Sequence, residues 1–131
     1  MFHPIEVPFD CVMLFNVIKL KEGVTIDDVE LTMGEMCNVV KDTYGDDNGG
    51  FIAGQVFENA GFVSAEGSVG APMPEGETAH DLVIITYWKS FEQHEASHAD
   101  HAFKEKFDHL GTFCDSTHEL GYKMLWQGVP E

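Results

Sequence analysis

Apolar residues run almost without a break from Cys11 to Leu20 (CVMLFNVIKL) and stop at Lys21-Glu22-Gly23. Such a run predicts a strand buried on both faces. The period then changes. Ile26, Val29, Met33, Met36, Val39 and Val40 recur at helical spacing. Thr25-Ile26-Asp27-Asp28 opens this helix like a capping box, with acid in the first turn where the helix dipole favours it. The pattern ends by Tyr44-Gly45, before the polar turn Asp46-Asp47-Asn48-Gly49-Gly50. Phe51 to Asn59 reads as a second strand, in which Gly54 marks a bulge or a close backbone approach. Ala60 to His80 is rich in glycine and proline and reads mostly as a long loop. Asp81 to Trp88 (DLVIITYW) is a third strand. Ser90-Phe91-Glu92-Gln93 is a capping box that opens a second helix running to about Gly111 or Phe113. Its core stripe is Phe91, Ala102, Phe103, Phe107 and Leu110. Glu119 to Gln127 (ELGYKMLWQ) is the fourth strand.

The element order is β-α-β-β-α-β, an α+β ferredoxin-like sandwich in a single domain spanning residues 1–131. Two helices cover one face of such a sheet, and the other face needs a cover. Trp88, Tyr122, Phe57 and Trp126 supply large apolar groups for that second layer. Pairing two sheets face to face, as a C2 homodimer closing into an α+β barrel, is the economical solution.

Charge narrows the partners. Seven Lys+Arg stand against 23 Asp+Glu, a net charge of −16. An acidic surface argues against nucleic acid and against an anionic membrane. No apolar stretch approaches the roughly 20 residues of a membrane span. The N-terminus lacks the basic-then-apolar pattern of a signal peptide. Three cysteines, Cys11, Cys37 and Cys114, cannot all pair within one chain. A reducing cytoplasm and free thiols are therefore expected.

The chemistry concentrates at the second helix. His94 and His98 stand four residues apart, on one helix face and one turn apart. Two imidazoles so placed can share a metal ion. His101 continues the same side. His94-Glu95-Ala96-Ser97-His98 also matches H-E-x-x-H literally. The short chain and flanking strands leave no cleft for a zinc protease, so that match is read as coincidence. Fold order brings the start of the last strand towards the helix, where Glu119 is a candidate third ligand and His118 a competing one. Two imidazoles and a carboxylate form the facial triad suited to non-haem Fe(II). Cys37 lies near the C-terminal end of the first helix, where only a nearby cation would activate its thiol. Cys11 and Cys114 read as structural.

The segment Thr86-Tyr87-Trp88-Lys89-Ser90-Phe91-Glu92-Gln93-His94-Glu95-Ala96-Ser97-His98 resembles one half of the sulfur oxygenase reductases, within the dimeric α+β barrel superfamily that also holds the antibiotic-biosynthesis-type monooxygenases. The resemblance implies a mononuclear non-haem iron on His94 and His98. Glu119-Leu120-Gly121-Tyr122 is similar to the family's E-x-x-Y, which implies Glu119 as third ligand. Cys37, before Gly50-Phe51, looks like the cysteine thought to carry sulfur as a persulfide. The family's chains are about twice as long and hold two fused halves, so a second subunit would supply the other half here. Its further cysteine pair is reduced to Cys114, and its substrate-entrance segments are absent.

The expectation is thus a homodimeric iron oxygenase acting with O2 on inorganic sulfur or a persulfide. The alternative is a monooxygenase-type relative without the iron triad, whose cavity takes a small hydrophobic ligand or haem. A non-enzymatic metal- or ligand-binding dimer is a third reading.

Overall fold

The computed structural model describes residues 3–76 and 79–130. The apolar run becomes strand β1 (Val12–Leu20) and the periodic segment becomes helix α1 (Ile26–Tyr44). Strands β2 (Phe51–Glu58) and β5 (Leu82–Trp88) fall where the pattern predicts them. At the start of α1 the Thr25 backbone N–H donates to the Asp28 carboxylate at 2.7 Å, which satisfies one end-of-helix donor.

Three boundaries differ from the sequence reading. The glycine-rich segment between Ala60 and His80 holds a small hairpin, β3 (Phe62–Val63) with β4 (Val69–Ala71); Glu77 and Thr78 lie outside the described residues. The second helix is two helices, α2 (Phe91–His98) and α3 (His101–Gly111). Asp100 causes the break, because its Oδ1 accepts from the backbone N–H of Ala102 at 2.8 Å and of Phe103 at 3.2 Å. A short acidic side chain gains more as an N-cap than inside a helix. The last strand, β6 (Cys114–Lys123), begins and ends earlier than Glu119–Gln127. Its partner sets those limits: β1 pairs with it from Val12↔Lys123 to Leu20↔Cys114, and the ladder stops short of Trp126.

The four long strands form one antiparallel sheet in the order β2-β5-β1-β6. That is the ferredoxin-like arrangement, with the first and third long strands central. Side chains alternate across it. Leu14, Ile18, Leu82, Ile84 and Trp88 face the helices and join Val29, Met33, Met36, Val40, Phe103 and Leu110 in the core. Full burial of each large apolar side chain contributes about 1.5–3 kcal/mol. Met13, Phe15, Val83, Ile85 and Tyr87 sit on the opposite face, paired as Met13↔Tyr87, Phe15↔Ile85 and Val17↔Val83. Tyr122 meets Phe15 edge-on there, with ring centroids 6.4 Å apart.

No helix among the described residues covers that second face. Phe57, Leu120 and Tyr122 remain 51%, 44% and 47% exposed. Of the residues expected to line it, one is buried on the helix side and another falls outside the sheet. Trp88 is 1% exposed in the helix-side core, because it lies in phase with Leu82 and Ile84. Trp126 stands beyond the end of β6. No helix among the described residues is long and apolar enough to cross a membrane.

Candidate metal centre

Helix α2 has only eight residues, and its position is fixed from outside. Ser90 caps it by accepting the Gln93 N–H at 3.2 Å. The Gln93 amide in turn donates to the Asp47 and Asn48 carbonyls, both at 3.1 Å. Gly50 has φ +77°, and a Cβ there would strike the Gln93 carboxamide. At the other side, a Cβ on Gly121 would stand 2.9 Å from the Phe91 ring. Glycine at both places lets α2 settle directly on the ends of β5 and β6.

His94 and His98 then project side by side. Glu119 lies in β6 opposite Asn16 of β1, in phase with the helix-facing Leu14 and Ile18. It therefore points up at α2 rather than into the open sheet face. The Nε2 atoms of His94 and His98 are 2.9 Å apart. Glu119 Oε1 is 3.2 Å from the first and 3.5 Å from the second. The other carboxylate oxygen, Oε2, accepts from Asn16 Nδ2 at 3.3 Å.

Aromatic rings wall the cluster. Trp88 lies 5.3 Å from His94, centroid to centroid, and Phe103 lies 5.2 Å from His98. The cluster opens on the His98 side: the His94, Glu119 and His98 side chains are 13%, 27% and 38% exposed. Burial pushes the Glu119 carboxyl up, but hydrogen bonds from both imidazoles and their positive charge outweigh it and bring it down to about 2. The carboxylate is thus held ionised.

Three lone-pair donors converge on one point. Neutral imidazoles cannot satisfy all three contacts with protons. If both Nε2 atoms donate to Glu119, two N–H groups face each other across 2.9 Å; if one donates to the other, a lone pair faces the carboxylate. A cation at the centre removes the conflict. With ligand bonds of about 2.1 Å, neighbouring ligand atoms at right angles stand about 3 Å apart. The observed separations of 2.9, 3.2 and 3.5 Å fit one such face of three ligands. The residues present fit a divalent transition metal.

The remaining candidates lie elsewhere. His118, the competitor to Glu119, is opposite Val17 and points to the other face, where its ring meets His80 at 5.8 Å. One step along a strand reverses the side, so the two neighbours never compete. His101 opens α3 beyond the break and is outside the cluster. Glu95, which completes the literal H-E-x-x-H, is exposed and also outside it. Cys37 is exposed on α1 and outside it too. The chain around its sulfur still desolvates it enough to push the thiol pKa up. Cys11 and Cys114 are buried. A cavity of about 770 Å³ lined by Leu20, Thr25, Asp27, Asn59, His80 and Asp81 lies towards the other end of the sheet, with no triad member in it.

Sequence reasoning missed three contributors. Asn16 is the single polar residue on the helix side of β1, and that interruption of an apolar run was its signal. Gly121 and Phe91 act as a pair across elements, which no local pattern reveals. Tyr44 donates to Asp100 Oδ2 at 2.8 Å and ties the end of α1 to the α2–α3 junction.

No family model and no curated protein sequence matches the chain. Solved structures do resemble it. SnoaB, a cofactor-independent oxygenase from Streptomyces nogalater, aligns with a TM-score of 0.62 at 13% identity, over 93% of this chain and 99% of its own. A hydroxynitrile lyase from Passiflora edulis aligns with a TM-score of 0.64 at 10% identity, over 94% and 100%. A dimeric protein of unknown function and ferredoxin-like fold from Bacteroides fragilis aligns with a TM-score of 0.54 at 12% identity, over 86% and 95%. These likenesses show the fold. Nothing in them ties the chain to sulfur oxygenase reductases in particular.

Proposed function

We propose that the chain is a homodimeric non-haem iron protein, in which His94, His98 and Glu119 hold Fe(II) and O2 is used on a sulfur species. The observation that carries this reading is the convergence of two imidazole nitrogens and one carboxylate oxygen within 3.5 Å of one another. Iron bound there would supply one-electron chemistry and open positions for O2 and substrate. The chain's own residues do the rest. Glu119 contributes a fixed negative charge, and Trp88 and Phe103 exclude water from one side of the imidazoles. The more exposed His98 edge is the approach for small reactants. Cys37, as an exposed thiol, is assigned to carry sulfane sulfur as a persulfide.

Homodimerisation is supported by the uncovered apolar face of the sheet and by the dimeric description of the Bacteroides fragilis neighbour. An oxygenase described as cofactor-independent shares the fold, and this favours a second reading. In it the barrel cavity binds a small hydrophobic ligand or haem, and oxygen chemistry proceeds without the triad.

One experiment separates the two. Protein purified without added metal is loaded anaerobically with Fe(II), and O2 uptake is followed with a sulfane-sulfur donor. The first reading expects about one iron per chain and uptake that needs both iron and donor. It expects His98→Ala to lose the iron and Cys37→Ser to keep iron but lose donor-dependent uptake. Failure to retain iron, or iron equally retained by His98→Ala, removes it in favour of the second.

A further inference from the structure

Asn16 is 8% exposed, in the middle of the central strand β1. It is a costly residue to bury there, since an amide group left unpaired in an apolar interior loses its hydrogen bonds to water and gains none in return. Its Nδ2 donates to Glu119 Oε2 at 3.3 Å. Its Oδ1 is buried with no hydrogen-bond partner. Turning the amide over would not help, because Oδ1 would then face a carboxylate oxygen; the chemistry of the pair fixes the orientation. The open acceptor belongs to the same planar amide as the nitrogen on Glu119, so it lies beside the carboxylate. A leucine would fill this position without an orphaned acceptor, so packing alone does not account for the asparagine.

We infer that Asn16 is the positioning residue of the metal centre: Nδ2 engages Glu119 Oε2 so that only Oε1 is offered to the metal, and Oδ1 accepts a hydrogen bond from a protic ligand bound there. The inference rests on the triad reading. The division of labour within the carboxylate is already visible, since Oε1 meets both imidazoles while Oε2 meets Asn16. Without Asn16 the carboxylate is free to turn and offer both oxygens, which raises the number of ligand atoms and occupies a position meant for a reactant. The protic ligands that suit Oδ1 are water and hydrosulfide, which keep a proton when bound, whereas a bound thiol loses its own.

The test uses Co(II), whose visible absorption reports the number and geometry of its ligands, on full-length protein. Asn16→Leu and the smaller Asn16→Val both remove the donor and the acceptor, and circular dichroism identifies which of them folds. The expected result is Co(II) affinity lowered by about 10–100-fold, the usual effect of losing a residue that orients a ligand. The Co(II) absorption should weaken and shift as the ligand number rises, while the metal-free protein melts no earlier than wild type. Wild type binding Co(II) with both variants within twofold and spectrally identical would overturn the role of Asn16 and leave the triad standing. Lower affinity with an unchanged spectrum would overturn it as well, because that is a packing effect. Wild type failing to bind Co(II) would overturn the triad reading, and the inference with it.

Discussion

The two faces of β6 do different work. On one face Glu119 turns to α2, shares an oxygen with two imidazoles and is held ionised. On the other, Leu120 and Tyr122 join Phe15 and Ile85 in an apolar surface that no helix among the described residues covers. Adjacent residues along one strand thus lie on a polar centre and on an uncovered apolar face, separated only by the alternation of side chains. The polar centre depends on few contacts with tight geometry. The apolar face depends on area, and no one side chain decides its shape.

That difference predicts how each face fails. The largest effect should come from Ile85→Glu, which puts a charge in the centre of the uncovered face. An unpaired charge buried at an interface costs about 3–5 kcal/mol. Light scattering should therefore find the variant as a monomer at concentrations where wild type is a dimer, with its metal content per chain retained. A variant that stays dimeric would move the interface elsewhere.

The next largest effect belongs to the centre. Sites of four ligands bind with about 10–16 kcal/mol, so removing one ligand costs about 3 kcal/mol. His94→Ala and Glu119→Ala should each weaken metal binding on the order of 100-fold in a competition titration with a chromogenic chelator. His118→Ala, one residue from Glu119 but on the other face, should leave it within twofold. Equal losses at His118 and Glu119 would break the separation of faces.

Acid gives the third test, in metal-free protein. Folding lowers the Glu119 carboxyl from 4.5 to about 2. A lowered carboxylate stabilises the fold fully above its unfolded value, and the contribution is lost as pH falls through the folded one. About 3 kcal/mol should therefore disappear between the two. Urea unfolding of wild type should steepen its pH dependence in that window, whereas Glu119→Gln should not show that component.

The smallest effect is expected at the helix junction. Tyr44→Phe removes the 2.8 Å hydrogen bond to Asp100 and should cost about 1 kcal/mol, a few degrees in Tm. Metal affinity should be nearly unchanged, because Asp100 still caps α3 through the Ala102 and Phe103 amides.

Much of this was legible along the chain. The run from Cys11 to Leu20, the helical period from Ile26 to Val40 and the Ser90 cap each carry a local signal, and the element order followed. The pair His94 and His98 was legible because helical spacing alone puts both on one face. Glu119 needed the fold order. Its choice over His118 needed the register, which β1 imposes and β6 does not announce. The break at Asp100 was hidden because Asp suits a helix cap and also tolerates a helix interior, and only the folded chain shows its Oδ1 on the Ala102 and Phe103 amides. Trp88 looked like a second-layer residue by size, yet its phase with Leu82 and Ile84 sends it into the core. Cys37 was legible only through resemblance, and its exposed place on α1 comes from being on the flank of the buried Met36 and Val40 stripe.

The central claim is that His94, His98 and Glu119 bind one metal ion together, and that the ion is iron. Diffraction from crystals of Fe(II)-loaded protein, recorded just above and just below the iron absorption edge, tests this directly. The account expects one anomalous peak per chain, about 2.0–2.2 Å from both Nε2 atoms and from Glu119 Oε1, that vanishes below the edge. A peak bound elsewhere, or none at that point in fully loaded crystals, would contradict it.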